Sequence, residues 1–126
     1  MQIEILKNIV VKSLDEMKAL DVVCLNVVGV SNVTDYMIIA TGTSNRQVKS
    51  LAASLTVNVK QAGVIPLGVE GEDVGEWVLV DLGDVIVHIM QKKTRDFYQL
   101  EKLWNTPKPG ETEDRDTISK HIRTQG

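Results

Sequence analysis

The residues whose types and spacing could do chemistry are few. Gly42-Thr43-Ser44 precedes a helical pattern and follows a strand pattern, and backbone amides at such a turn can receive an anion or phosphate. Nucleotidyl transfer would add a pair of carboxylates on a neighbouring strand to hold Mg²⁺. The candidates are Asp81 and Asp84. One ends a strand and the other occupies a turn, rather than both projecting from one strand face. His88 lies diagonal to Asp81 if the intervening residues form a hairpin, so the two are placed to pair; without a Ser, Cys or metal partner nearby, such a pair reads as a structural hydrogen bond. His121 has no partner that the sequence identifies. Cys24, the only cysteine, rules out an intrachain disulfide and a Cys-based zinc site, and reads as a small buried apolar residue rather than a nucleophile. The chain contains no P-loop, dinucleotide fingerprint, nucleophile elbow or His/Cys metal spacing.

The stretch from Glu76 to Gln91 must position most of these groups. Two runs rich in Val, Ile and Leu flank Gly83-Asp84, and glycine at the first central position suits a two-residue type II′ turn. That hairpin sets Leu82 opposite Val85, Val80 opposite Val87 and Val78 opposite Ile89. Because side chains alternate, these six residues form one wholly apolar face, which is core. The other face carries Trp77, Leu79, Asp81, Ile86, His88 and Met90. It is too apolar for open solvent and too polar for an aliphatic core, so a helix or a partner must lie over it.

The remaining elements follow from periodicity. Ile3, Leu6, Val10, Leu14 and Met17 recur at steps of three and four, predicting a first helix over about residues 2–20. Residues 21–28 and 35–41 read as strands, apolar at nearly every position and so covered on both faces. Ser44 and Gln47 form a capping box at the start of a second helix, with Val48, Leu51, Ala52, Leu55 and Val59 as its buried stripe and Gly63 closing it. Residues 64–69 form a short strand whose Pro66 suits a sheet edge or a strand start. Thr94 caps a third helix through Trp104, with Phe97, Leu100 and Trp104 on one buried stripe and Tyr98 turned further round. Trp104 reads as core, with an interface as the alternative. Asn105 to Gly126 is polar, with two prolines, and is expected to be a flexible tail beyond a 1–104 domain. The result is an α/β protein: a mixed five-stranded sheet with helices on its faces.

At 126 residues, 43% hydrophobic and 25% charged, the composition suits one soluble globular domain. No apolar run is long enough for a membrane span and the start lacks a signal-peptide plan, so a cytoplasmic protein is expected. The net charge of −3 hides an asymmetry: Glu70, Glu72, Asp73, Glu76, Asp81 and Asp84 lie in a stretch, 61–91, that has no Lys or Arg. That block repels phosphate, so a basic protein suits it better than a nucleic acid. A solvated acidic loop that aids solubility fits equally well.

The motifs Asp35-Tyr-Met-Ile-Ile-Ala-Thr-Gly-Thr-Ser-Asn-Arg-Gln47, Gly68-Val-Glu-Gly71, Trp77 to Met90, and Arg95-Asp-Phe-Tyr-Gln-Leu-Glu-Lys-Leu-Trp104 strongly resemble the ribosomal silencing factor (Iojap-like) family. The match runs in order from about residue 3 to 104. The resemblance implies a nucleotidyltransferase-like α/β fold without transferase activity or cofactor. It further implies binding to the large ribosomal subunit through the ribosomal protein numbered fourteen in its series, which blocks joining of the small subunit and lowers translation when nutrients are scarce. Homodimers are known in the family, and organellar relatives act in large-subunit assembly.

Motif position and inferred facing together suggest a contact surface of Trp77, Asp81, His88 and Met90 on the mixed hairpin face, Glu70 and Asp73 on the loop, and Arg95 and Tyr98 on the third helix. A central aromatic ringed by complementary charge is a reasonable hot spot. Trp77 could instead lie buried beneath the third helix. The repressor reading expects Trp77→Ala or Asp81→Lys to abolish binding while the fold survives. The alternative, a metal-dependent nucleotidyltransferase, expects Mg²⁺-dependent nucleotide binding at Thr43 and Ser44 that fails on Asp81→Asn.

Overall fold

The computed structural model describes residues 1–105, with side chains described through Lys102. Its elements are α1 (Ile3–Glu16), β1 (Leu20–Asn26), β2 (Tyr36–Gly42), α2 (Asn45–Gln61), β3 (Gly68–Glu70), β4 (Trp77–Asp81), β5 (Val85–Gln91), α3 (Lys92–Tyr98) and α4 (Leu100–Asn105). The strands form one mixed sheet in the order β1-β2-β5-β4-β3. Only the β2–β5 pair is parallel; the other pairs are antiparallel. Among the described residues no helix is long and apolar enough to cross a membrane.

The β4–β5 hairpin has the expected register. Val78 faces Ile89 and Val80 faces Val87, and the Leu82 amide donates to the Val85 carbonyl at 2.9 Å. Gly83 takes φ +86, which an L side chain rarely adopts and which glycine tolerates without strain. The apolar face of this hairpin joins Ile38 and Ala40 of β2 beneath α1 and α2, whose Leu6, Val10, Leu14, Val48, Leu51, Leu55 and Val59 complete the larger core. Two-sided burial explains why β2 and β5 read as continuous apolar runs.

Local chemistry sets the ends of α2. The Ser44 hydroxyl accepts the Gln47 amide at 3.1 Å, while Gln47 Oε1 reaches back to the amide and hydroxyl of Thr43, one residue ahead of the cap. At the other end Gly63 takes φ +92, its amide meets the Lys60 carbonyl, and the Val64 amide meets the Val59 carbonyl. This double closure is a Schellman motif.

Several expectations need correction. Helix α1 stops at Glu16, four residues early, because Lys18 turns left-handed (φ +61) ahead of β1. Strand β1 is a sheet edge with only partial burial, so its apolar residues do not report two-sided cover. Consequently Cys24 is exposed, not buried. Strand β3 is the other edge, as Pro66 suggested, but it begins at Gly68. The third helix is broken at Gln99 (φ +49) into α3 and α4. Helix α3 buries Thr94 and Arg95, which leaves Phe97 outward, 79% exposed, while Tyr98 is half-buried and Leu100, after the break, is in the core. Thr94 lies inside α3 rather than capping it. The side chain of Trp104 and the expected tail fall outside the described residues.

Candidate functional site

The mixed hairpin face is covered by the chain itself. Trp77, Leu79, Ile86 and Met90 pack with Met37, Ile39, Val27 and Leu100 in a second, smaller core, with Tyr98 against it. Trp77 is 2% exposed, and His88 and Met90 are fully buried. Of the two placements that the sequence left open for Trp77, the structure has the buried one.

A polar interaction sits inside this apolar layer. The pairing of Trp77 with Met90 and Leu79 with His88 sets Trp77 and His88 on a diagonal of one face. The Trp77 indole N–H donates to His88 Nδ1 at 2.9 Å. An accepting Nδ1 requires the neutral tautomer with its proton on Nε2. Nε2 is buried and, among the described residues, has no hydrogen-bond partner. Burial pushes the His88 imidazole down to about 3, because taking the charged ring out of water is unfavourable. Tyr98 also packs against Trp77, with ring centroids 4.8 Å apart and a 48° tilt. His88 thus pairs with Trp77 rather than with Asp81.

Arg95 is also turned inward, 9% exposed. Its Nη1 donates to the Asp21 carbonyl at 2.6 Å and to the Thr41 hydroxyl at 2.8 Å, and its Nε pairs with Glu101 at 2.8 Å. One guanidinium therefore ties α3 to β1, β2 and α4. It forms the floor of a cleft of about 510 Å³ whose rim includes Lys92, Asp96 and Lys102. Charge-assisted bonds of this kind are the strong ones, and here they are committed to the fold.

The two carboxylates have different surroundings. Asp81 Oδ1 accepts the Gly83 amide at 2.9 Å, tightening its own turn, while Asp84 is exposed at the turn tip. Among the described residues no group of three His, Cys, Asp or Glu is placed to hold a metal ion. At the anion-type turn, Thr43 directs both its amide and hydroxyl to Gln47. Cys24 has its thiol pushed up by partial burial, with Lys7 opposing, which disfavours the thiolate that a nucleophile needs.

The eight residues proposed from sequence thus divide. Trp77, His88, Met90, Arg95 and Asp81 are buried; Glu70 and Tyr98 are half-buried; Asp73 is exposed on the loop after β3. Glu70, Asp81 and Tyr98 all have interaction partners. Sequence reasoning missed the Trp77–His88 bond, although the hairpin register contained it. It also missed the inward turn of Arg95, whose carbonyl partner lies 74 residues away and carries no side-chain signal. The exposure of Ile65 and Leu67, beside Pro66 at the sheet edge, was a third omission.

These features define an α/β module with a mixed five-stranded sheet, whose buried polar groups are committed largely to holding its own layers together. The chain belongs to the family described as ribosomal silencing factor during starvation, whose model matches residues 2–125. It is 45% identical over 109 residues to the ribosomal silencing factor RsfS of Chromobacterium violaceum, covering 86% of this chain and 89% of that one. It is 48% identical over 99 residues to the RsfS of Haemophilus influenzae, covering 79% and 97% respectively. A crystal structure of a Chromobacterium violaceum protein superposes with a TM-score of 0.82 at 42% identity, covering 94% of this chain and all of that one.

Proposed function

We propose that the chain is a non-enzymatic, cytoplasmic translation repressor. It binds the large ribosomal subunit through the ribosomal protein numbered fourteen at the subunit interface, and its bulk then prevents the small subunit from joining. The observation that carries this reading is family membership over residues 2–125, with silencing-factor relatives above 40% identity along nearly their whole length. Charge supports it. Ribosomal proteins are mostly basic, and Glu72, Asp73 and Asp84 offer exposed carboxylates, the first two on the loop after β3 and the third on the β4–β5 turn at the opposite end of the strands. No cofactor or metal is needed for steric occlusion, and direct contact with nucleic acid is minor because the same carboxylates repel phosphate.

Within this reading the eight residues have two roles. Glu70, Asp73 and Tyr98 meet the partner, while Trp77, His88, Met90, Arg95 and Asp81 hold that surface in shape from beneath. The free protein is a homodimer, as in its family. The test is co-sedimentation of the purified chain with isolated large and small subunits. Selective recovery with the large subunit is expected; recovery with neither at micromolar concentration would overturn the proposal.

A further inference from the structure

Among the described residues the sheet ends at β3, which pairs with β4 on one side only. The chain approaching that edge presents Ile65 and Leu67, 79% and 71% exposed, the two most exposed aliphatic side chains among the described residues. They flank Pro66 in the irregular segment that leads into the strand. Leu67 is not loose: its amide donates to the Asp81 carbonyl at 2.8 Å, and its Cδ1 lies 3.6 Å from where a Cβ on Gly83 would stand. A fixed edge carrying bare aliphatics is something folded proteins ordinarily cover or blunt, because free strand amides and carbonyls template pairing with another chain. Here the apolar pair is flanked by exposed carboxylates, Asp84 beside it on the hairpin turn and Glu72 and Asp73 just beyond the strand.

We propose that the β3 edge is a strand-addition site for an extended, Lys- and Arg-bearing segment of a partner protein. The segment pairs its backbone with residues 68–70, seats an apolar side chain on Ile65 and Leu67, and sets its cations against Glu72, Asp73 and Asp84. This rests on the silencing reading and adds to it where and how the ribosomal protein is held. Nucleic acid is a poor occupant because the carboxylates repel phosphate. A second copy of this chain is also a poor one, since two-fold pairing of this edge would set acid against acid.

The test uses the full chain and isolated large subunits. The double variant Ile65→Ser, Leu67→Ser alters only exposed side chains and is expected to melt as wild type does, yet to bind the large subunit at least about tenfold more weakly. Val57→Ser, an exposed aliphatic on the α2 surface, is expected to bind normally. In the wild-type complex, amide exchange across residues 68–70 is expected to slow. Wild-type binding that the double variant retains in full, or edge amides that exchange equally fast in the complex, would overturn the inference and leave the silencing reading standing. A change from dimer to monomer in the double variant, with subunit binding intact, would assign the edge to a second copy and overturn it as well. Absence of wild-type binding would remove both.

Discussion

Replacing Trp77 with alanine is expected to destabilise the protein by about 3–5 kcal/mol, the range for truncating a large buried aromatic. Three losses combine at this position. The indole fills the second core between β4 and α3, and it stacks on Tyr98. Its N–H also satisfies His88 Nδ1. Natural domains have roughly 5–15 kcal/mol of stability in total, so the melting temperature should fall on the order of 15 °C or more. Trp77→Phe separates the contributions: the ring stays, the donor goes, and the cost should be about 1–3 kcal/mol, that of a buried acceptor left without its bond. Urea unfolding of both variants followed by circular dichroism measures this. A cost below about 1 kcal/mol for Trp77→Ala would show that the aromatic layer contributes little. The substitution is therefore a poor probe of partner contact, contrary to the expectation from sequence, because any loss of ribosome binding would also report a weakened fold.

The second large effect is a dependence of stability on pH that originates at His88. In the unfolded chain its imidazole titrates near 6.5, whereas in the fold burial holds it down to about 3. A depressed histidine pKa means that the unfolded state binds the proton first. The contribution of neutral His88 is therefore fully present above about pH 6.5 and is lost progressively as pH falls towards 3, at about 1.4 kcal/mol per pH unit. Charged groups sharing this face are Glu70 on β3, Asp81 on β4 and Arg95 on α3. Between pH 6.5 and 4.5 the loss assigned to His88 is on the order of 2 kcal/mol. His88→Gln keeps an acceptor for the Trp77 indole and removes the titration. Its stability should be flatter than wild type across that window by about the same amount. Parallel pH profiles for the two proteins would contradict the assignment.

Much of the fold was legible in the sequence because it is written in short-range patterns. The hairpin needed only the Gly83-Asp84 turn and alternation on either side of it. Ser44, Gln47 and Gly63 marked both ends of α2 through local hydrogen bonding. The edge position of β3 was one of the two that Pro66 suited. What was not legible depended on long-range geometry. The exposure of Cys24 follows from β1 lying at an edge, which strand composition does not report. The break at Gln99 has no glycine or proline to announce it, and Phe97 and Tyr98 take the opposite sides from those expected of one continuous helix. Arg95 looked like a surface cation because its partners, a backbone carbonyl at Asp21 and the Thr41 hydroxyl, meet it only once the sheet has formed. The mixed face was correctly read as needing cover, and α3 and α4 of the same chain supply much of it.

The division between buried and exposed members of the proposed surface also changes which variants inform on function. Asp73, Glu72 and the Ile65–Leu67 pair can be altered without disturbing packed layers, whereas Trp77, His88 and Arg95 cannot. Charge reversal on the exposed loop acts mainly through encounter and salt dependence, which are rim effects.

The central claim is occlusion of the small subunit, and light scattering from mixed ribosomal subunits tests it directly. Large subunits saturated with the chain, then mixed with small subunits, should show the scattering rise of joining suppressed in proportion to the fraction of large subunits occupied. Adding the chain to subunits already joined should have far less effect, because its site is then covered. Joining at the normal rate and to the normal extent, with the chain demonstrably bound to the large subunit, would contradict the account.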